Sequence, residues 1–260
     1  MGDEMSELKI VCISDLHGML PTVPDCDILL IGGDICPCRF GSDYMSNNQT
    51  ATEQAFWLRD TFGPWLAKQP VKHTVSVWGN HDWIGEVAPE RAPSLPWHML
   101  CDQGTELLGL KIYASPWQSI FFNWAFNATE EFMEKKWSAI PDDTEILVLH
   151  GPPHGFGDLA PVYKGIRDQM EHTGSPSLTK RIIELKKLKL VVCGHIHRAR
   201  GVYLISNTPV VNASVVNEKY QLVNDPIKFT FDLDKKTTNW LTVDNVQCLT
   251  NEVTWGQTCD

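Results

Sequence analysis

Five short apolar runs in this chain each lead into a polar residue of a type that binds metal ions. The runs are rich in Val, Ile and Leu and show little alternation, as in strands buried on both faces. Binding sites of open α/β sheets form outside the carboxyl ends of the strands, so the polar residues are expected at one edge. The runs are KIVCIS before Asp15-Leu16-His17, DILLIGG before Asp34, HTVSVWG before Asn80-His81-Asp82, EILVL before His150, and LKLVVCG before His195-Ile196-His197.

The spacing of these polar residues predicts that their side chains converge. Asp15 and His17 are two positions apart, so on an extended chain they point to the same side, and His195 and His197 repeat this arrangement. Nitrogen and oxygen donors without a thiolate suit manganese, iron or zinc, whereas calcium prefers oxygen donors alone. The seven candidate ligands are Asp15, His17, Asp34, Asn80, His150, His195 and His197.

Seven ligands are too many for one tetrahedral ion, and they suit two ions that share a carboxylate. Two divalent ions carry four positive charges, and the two aspartates contribute two negative charges. The remaining positive charge can hold a hydroxide and an anionic substrate. This is the electrostatics of phosphate ester hydrolysis, in which metal ions activate a water and bind the phosphoryl oxygens.

Composition narrows the class of protein. The chain has 260 residues, 43% of them hydrophobic, enough for a sizeable core. Its formal net charge of -10 disfavours long nucleic acid as a partner but leaves a small anionic substrate open. The apolar runs are too short to span a membrane, and the N-terminus lacks the layout of a signal peptide. We therefore expect a cytoplasmic protein whose eight cysteines are free thiols.

The remaining segments predict an α/β fold with two mixed sheets packed face to face and helices outside. Helices are expected over 51–68, with a kink or break at Gly63-Pro64, after a cap at Asn127, and after a cap at Ser175. Residues 107–113 read as one further strand, and strands are expected in GVYLIS, TPVVNAS, IKFTFDL and NWLTV, the last two joined by a turn at 234–236.

The motifs D-x-H, G-D, G-N-H-D, a lone His and G-H-x-H occur in this order over about 15–197. Together they resemble the calcineurin-like metallophosphoesterases. HGPP and GHIH…VVNAS are more similar to the class III cyclic-nucleotide phosphodiesterase branch and its animal metallophosphoesterase-domain relatives. The resemblance implies a four-layer α/β/β/α sandwich. It also implies a single domain over 1–260, with a motif core of about 8–215 and C-terminal strands and a tail over 216–260.

The resemblance also implies a role for each site residue. His81 would contact the phosphate and protonate the leaving group. Asp82 would hold His81 in the useful tautomer, although it can instead hydrogen-bond to backbone, and Asn212 would support the ligands from behind. One ion would take Asp15, His17, Asp34 and His197, and the other Asp34, Asn80, His150 and His195, with Asp34 as the bridge.

One departure bears on the substrate. Protein Ser/Thr phosphatases of this superfamily carry G-D-x-x-D-R, whereas this chain reads GDICPCR over 33–39, so a phosphoprotein is disfavoured. Arg39, His154 and Arg198 are candidate substrate contacts. The alternatives are a turn-forming loop around His154 and a solvated charge at Arg198. The aromatic stretch over 115–127 is either a binding surface or dimer contact, or core packing beneath a long loop.

These observations predict a phosphoesterase with two divalent metal ions, manganese being favoured over iron or zinc. The expected substrate is a phosphodiester or a small nucleotide, cyclic nucleotides included, attacked by a metal-bridging hydroxide while His81 assists the leaving group. A phosphomonoesterase or broad-specificity phosphatase is the main alternative, followed by a nuclease. A catalytically silent scaffold of the same fold is the alternative outside enzymes. Homo-oligomerisation is left open.

Overall fold

Two mixed β-sheets form the centre of the fold in this computed structural model, which describes residues 7–38, 46–164, 167–233, 237–240 and 248–249. The first sheet has the strand order β16-β15-β1-β2-β3-β4, and the second has the order β17-β13-β14-β12-β9-β6-β5. The strands of the first sheet are β1 (Glu7–Ile13), β2 (Cys26–Ile31), β3 (Val71–Ser76), β4 (His98–Met99), β15 (Ile227–Asp232) and β16 (Thr237–Trp240). Those of the second are β5 (Gln103–Leu107), β6 (Leu110–Ser115), β9 (Ile146–Leu149), β12 (Leu190–Cys193), β13 (Gly201–Ile205), β14 (Thr208–Asn212) and β17 (Cys248–Leu249).

Two small sheets and several helices complete the described chain. The small sheets pair β7 (Gln118–Ser119) with β8 (Asn127–Ala128), and β10 (Leu159–Lys164) with β11 (Arg167–His172). The α-helices are α1 (Asn47–Trp57), α2 (Gly63–Leu66), α3 (Trp83–Val87), α4 (Glu130–Ser138) and α5 (Pro176–Glu184). A π-helical segment covers Leu58–Phe62, and 3₁₀ turns cover Pro89–Arg91 and His197–Ala199. In the described residues, no helix combines the length and the apolar character needed to cross a membrane.

The burial of β1 explains why the two sheets pack face to face. Ile10 and Cys12 point into a core that the two sheets share, whereas Val11 and Ile13 point to the opposite face and pack with the helical segment after residue 46. Successive side chains of a strand alternate between the two faces of its sheet, so an unbroken apolar run has to be covered on both sides. The second sheet is covered in the same way by α4 and α5. The predicted α/β/β/α layering is therefore confirmed.

The carboxyl ends of the two sheets meet at one edge. β1, β2 and β3 run parallel in the first sheet, and β6, β9, β12 and β14 run parallel in the second. Ser14 forms a parallel bridge to Ser214, with hydrogen bonds from Ser14 N to Ala213 O and from Val215 N to Ser14 O, each 2.9 Å long. The loops that follow all five predicted strands therefore converge on a common edge.

Three local predictions are wrong in their details. Residues 107–113 form part of a β5–β6 hairpin rather than one strand, because Leu108 and Gly109 adopt left-handed backbone angles and turn the chain. The predicted break at Gly63-Pro64 is absent, since the helical run continues through these residues, but a π-type bond from Gly63 N to Leu58 O interrupts the regular α-helical pattern before the proline. The cap of α4 is Thr129 and not Asn127. The Ser175 cap is confirmed, and the predicted turn at 234–236 lies outside the described residues.

Candidate metal centre

All seven predicted ligands lie at the shared edge of the two sheets. Those that follow β1, β2, β3 and β9 are buried, and His195 and His197, which follow β12, are half-buried. His17 Nε2 lies 3.0 Å from His197 Nε2, and both His17 Nε2 and His150 Nε2 lie 3.5 Å from Asp34 Oδ2. His197 Nε2 lies 3.4 Å from Asp15 Oδ1. Residues far apart in the chain thus place their donor atoms in one small volume.

Asn80 links the two histidines of the second predicted set. His150 Nε2 and His195 Nδ1 each lie 2.7 Å from Asn80 Oδ1. The buried Nδ2 of Asn80 has no hydrogen-bond partner in the described chain. An unpaired buried amide next to two imidazoles carries an energetic cost, which is typical of a site that takes a further group.

The protonation states favour metal ligation. Burial lowers the pKa of His17, His150 and His195, so these imidazoles stay neutral at physiological pH and keep a lone pair for a metal. Burial alone would raise the pKa of Asp15, but the hydrogen bond and charge of His197 outweigh it and hold the Asp15 pKa below its usual range. Burial and the neighbouring carboxylates of Asp82 and Asp15 raise the pKa of Asp34. A bound cation would offset these effects and stabilise the ionised carboxylate.

The donor set fits divalent cations. Donor atoms of Asp15, His17 and His197 lie within 4.8 Å of one another, and so do those of Asp15, Asp34 and His150. Neutral imidazoles, carboxylates and an amide oxygen are the donors preferred by manganese, iron and zinc. The two groups share Asp15, and the unpaired Asn80 amide lies beside them. The number of donor atoms is therefore sufficient for more than one ion.

Backbone contacts orient the ligands from outside. His150 Nδ1 lies 2.8 Å from the carbonyl oxygen of Gly32, and His197 Nδ1 lies 3.1 Å from that of Asn217, so each ring has one nitrogen held and one directed inward. The backbone N–H of His81 donates to Asp34 Oδ1 at 2.7 Å. The backbone N–H of His195 donates to the Asp15 carboxylate at 2.9 and 3.1 Å.

Asn212 supports the turn that carries His195 and His197. Its buried Nδ2 donates to the carbonyl oxygens of Gly157, Gly194 and Ile196 at 3.0, 3.2 and 2.9 Å. The expectation that Asn212 acts from behind the ligands agrees with these contacts. Gly194 belongs to the same turn, and a Cβ added there would lie 2.0 Å from Ser14 Oγ and 2.1 Å from Asp15 Oδ2.

His81 lies at the edge of the ligand cluster, where its ring centroid is 4.9 Å from that of His17. Burial, together with the charges of His150 and His197, lowers the pKa of His81 to about 4. Its backbone is clamped by the buried Gln54, whose Nε2 donates to His81 O at 2.6 Å and whose Oε1 accepts from Ile84 N at 2.9 Å. The ring is therefore held as a neutral imidazole beside the ligands.

The expectation that Asp82 orients the His81 ring needs correction. The buried Asp82 carboxylate accepts hydrogen bonds from the backbone N–H groups of Ile35, Cys36 and Gly79 at 2.8–3.1 Å. The carboxylate is saturated with backbone hydrogen bonds because the loop after β2 passes directly over it. Asp82 thus ties the loop that carries Asp34 to the loop that carries Asn80 and His81.

A cavity of about 460 Å³ opens directly onto this cluster. Its walls include Asp34, Asn80, His81, His195 and His197. Arg198 also lines it, with its Nε 3.4 Å from Glu218 Oε1. The cavity places a small substrate within reach of the predicted ligands and of one arginine.

Of the other two candidate substrate contacts, the structure describes His154 alone. His154 is not among the residues that line it in the described chain. Its Nδ1 instead lies 3.8 Å from Asp158 Oδ2, and its ring packs on His172 with the centroids 5.4 Å apart. The Gly- and Pro-rich loop brings His154 to this separate cluster because it turns away from the sheet edge. Arg39 lies outside the described residues.

Two neighbours of the site were not predicted from the sequence. Cys38 Sγ lies 2.8 Å from His17 Nδ1, and donor atoms of His17, Cys38 and His81 lie within 4.8 Å of one another. Burial and nearby carboxylates raise the Cys38 pKa, so the thiol stays protonated. The ring of Tyr220 packs edge-on against His17 and His197 at 4.8 and 5.4 Å. Only the position of Cys38, shortly after Asp34, offered a signal.

Comparison with known proteins agrees with this geometry. The family model described as calcineurin-like phosphoesterase matches residues 8–199. Metallophosphoesterase domain-containing protein 1 of Homo sapiens is 29% identical over 247 residues, which cover 84% of this chain and 69% of that protein. The Mus musculus protein of the same name gives the same values. A UPF0046 protein of Caenorhabditis elegans is 29% identical over 251 residues, covering 88% of this chain and 82% of its own. The chain belongs to the calcineurin-like phosphoesterase family and is a metal-dependent hydrolase of phosphoric esters.

Proposed function

We propose that this chain hydrolyses a phosphodiester or a small nucleotide, cyclic nucleotides included, with two divalent ions. The observation that carries the proposal is the convergence of two carboxylates, four imidazoles and one amide beside a cavity of about 460 Å³, which Asp34, Asn80, His195 and His197 line. A small ester fits a cavity of this size. The missing G-D-x-x-D-R motif leaves the site without a feature of the phosphoprotein phosphatases.

We assign one ion to Asp15, His17, Asp34 and His197, and the other to Asp34, Asn80, His150 and His195. The short distances between His17 and His197, and from both His17 and His150 to Asp34 Oδ2, support this division, with Asp34 between the two sets. Manganese is the proposed metal, and iron or zinc suits the same donors. When bound, such ions supply Lewis acidity that activates water and neutralises phosphoryl charge.

The residues of the chain contribute position and hydrogen bonds. His81 is neutral and carries one ring N–H, which can donate to a phosphoryl or leaving-group oxygen. Gln54 and Asp82 fix the backbone on either side of His81, so its ring stays at the rim of the cluster. Arg198 lies in the cavity wall and can contact an anionic ester, although Glu218 shares its charge.

We also propose that residues 1–260 form one metallophosphoesterase domain and that it lies in the cytoplasm. Six cysteines are free thiols, which suits a reducing compartment: Cys12, Cys26, Cys36, Cys38, Cys101 and Cys193. The net charge of -10 supports a small ester over a polyanion, because an acidic surface repels long nucleic acid.

The test compares a chromogenic phosphodiester with its monoester counterpart, using metal-stripped protein refilled with Mn²⁺. We expect hydrolysis only after refilling and a higher kcat/KM for the diester. A His81→Ala variant should keep its bound metal while losing about 100-fold or more in kcat. A preference for the monoester would move the protein to the phosphatase alternative. Equal turnover in chelator would reject the two-metal mechanism, and no turnover with any metal would support a silent scaffold.

A further inference from the structure

One wall of the cavity is formed by apolar and aromatic side chains of residues 118–127, here called the aromatic loop. Ile120, Phe121 and Trp124 line the cavity from this loop, and Pro161 and Val162 of β10 also line it. Phe122 is 73% exposed and Ile120 is 61% exposed, so much of this surface has no partner within the described chain. Aromatic surface left open beside a catalytic centre is typical of a ligand subsite.

The aromatic loop is an ordered platform, because its own side chains close it. Asn127 Nδ2 donates to the carbonyl oxygens of Phe121 and Phe122 at 3.2 and 3.0 Å. Gln118 Nε2 donates to Ala125 O at 2.7 Å. The inner part of the stretch is core, since Phe126 is buried against Trp117. The 115–127 stretch therefore packs into the core with its inner part and exposes aromatic side chains with its outer part.

The platform is tied directly to the catalytic segment. Ala125 N donates to Asn80 O at 3.1 Å, and Phe126 N donates to Glu86 Oε1 at 2.8 Å. The Trp124 ring lies against His81, with the centroids 4.6 Å apart. A substituent of an ester whose phosphorus sits at the ligand cluster must therefore pass Trp124 when it extends along this wall.

The charges of the cavity favour a neutral substituent. Outside the ligand cluster, the charged side chains that line it in the described chain are Arg198 and Glu218, and these face each other at 3.4 Å. Among these described side chains a second phosphate would find no unpaired cation, and a sugar chain would find few hydrogen-bond partners on the aromatic wall. A flat, uncharged ring matches the surface, since it can stack on the indole of Trp124.

We propose that Trp124, with Phe121 and Ile120 beside it, forms a subsite for a planar aromatic substituent of the phosphoester. This inference rests on the proposed function, because it places the phosphate at the predicted metal ligands. It deepens that function by naming the group that the enzyme selects. The shared chemistry is a neutral aromatic ring, which is carried by a nucleobase or by an aryl ester.

The test measures binding of phenyl phosphate, cyclohexyl phosphate and methyl phosphate by calorimetry with the Mn²⁺-loaded protein. Each ligand has one organic group, so the subsite alone distinguishes them. We expect phenyl phosphate to bind about 10-fold more tightly than methyl phosphate, as one stacked ring allows, and more tightly than cyclohexyl phosphate. Trp124→Ala should abolish this preference, and Trp124→Phe should keep most of it. Phe56→Ala is the control, because Phe56 is exposed at a different surface.

A second measurement uses the protein without bound metal. Saturation-transfer NMR on the metal-free protein should show magnetisation passing to the ring protons of phenyl phosphate, and much less in Trp124→Ala. Adenosine monophosphate compared with ribose 5-phosphate separates the two sources of the ring. A preference for the adenosine ester supports a nucleobase, and a phenyl preference without it supports a short aryl ester.

Equal binding of phenyl, cyclohexyl and methyl phosphate, or a phenyl preference that survives Trp124→Ala, would overturn the subsite. Either result would leave the proposed function standing if the loaded wild-type protein still hydrolyses esters. Failure of hydrolysis in the wild-type protein would instead reject the proposed function, whichever ligand binds. Trp124→Phe guards against a folding defect, because it keeps an aromatic ring on the same backbone.

Discussion

Four of the predicted metal ligands have backbone angles that cost free energy. The φ angles of Asp15, His17, Asp34 and His195 are 54°, 45°, 52° and 68°, in the left-handed region that side chains with a Cβ disfavour. Such strain is concentrated at functional sites, where the surrounding structure maintains it. Here the strain lets the chain turn sharply at the strand ends and direct the side chains to a common point.

Substitution of His17 by glycine and by alanine measures this strain. Both changes remove the imidazole, but only glycine adopts a φ of 45° without cost. We expect His17→Gly to have a free energy of unfolding about 1 kcal/mol higher than His17→Ala in metal-free denaturant titrations. At His73, within β3, the same pair should show the opposite order, because glycine weakens a strand. An alanine variant as stable as the glycine variant at position 17 would argue against the strain.

A second prediction for a single residue concerns the Asp82 carboxylate. Its two oxygens accept three backbone N–H groups, so Asp82→Asn must direct an NH₂ group at one of these donors. We expect the free energy of unfolding to fall by about 2 kcal/mol, the cost of an unpaired buried donor. Asp60→Asn is the control, since Asp60 is exposed, and it should unfold close to wild type. Similar unfolding of both variants would show that Asp82 does not tie the two loops together.

At the scale of elements, the close approach of two strand ends depends on Gly194. A Cβ at this position would overlap Ser14 Oγ and Asp15 Oδ2. We expect Gly194→Ala to weaken Mn²⁺ binding about 10-fold or more, because the contacts that orient Asp15 must shift. Gly104→Ala in β5 is the matched control, since its Cβ would meet Ile112 O at an ordinary 3.4 Å. Unchanged Mn²⁺ affinity in Gly194→Ala, measured by calorimetry, would contradict this account.

The sequence predicted the elements whose signal is local. Apolar runs followed by polar residues identified β1, β2, β3, β9 and β12, because burial on both faces leaves an unbroken run. The Ser175 cap was found for a similar reason, since Ser followed by Pro is a local signature of a helix start. These elements fix the positions of the predicted ligands, which explains why their convergence at one edge could be predicted from the sequence.

Elements whose structure depends on the rest of the fold were predicted less well. A proline normally ends a helix, but here a π-type turn precedes Gly63-Pro64 and the helical backbone continues to Leu66. Leu108 carries a left-handed φ that its side chain gives no reason to expect, so the β5–β6 hairpin was missed. Cys38 and Tyr220 reach the site through loop paths, which no local pattern specifies.

At the scale of the whole molecule, bound metal should stabilise the fold. The seven predicted ligands come from both sheets, so ions that bind them favour the folded state alone. At a free Mn²⁺ concentration 100 times the dissociation constant, the gain is about 2.7 kcal/mol. This should raise the melting temperature of stripped protein by roughly 5–10 °C. Calorimetric or fluorescence melting curves with and without Mn²⁺ measure it.

Matched variants separate specific binding from a general salt effect. His150→Ala should remove most of the Mn²⁺-induced shift in melting temperature, whereas His154→Ala should keep it, because His154 does not line the cavity in the described chain. Ca²⁺ should shift the wild-type protein less than Mn²⁺, since imidazoles are poor ligands for calcium. An equal shift in both variants, or with both ions, would place metal binding elsewhere.

The bridge between the ends of the two sheets also sets the order of events during synthesis. His17 and His197 are separated by 180 residues, and at ordinary rates of translation the second follows the first by roughly 10–35 s. During most of that interval β1 and its ligands lack the strands β12, β13 and β14 of the second sheet. Contacts of such long range form slowly, and the ions can bind their full ligand set only after both sheets have come together. We therefore expect full metal occupancy to mark completed folding, with the bound metal stabilising the finished chain.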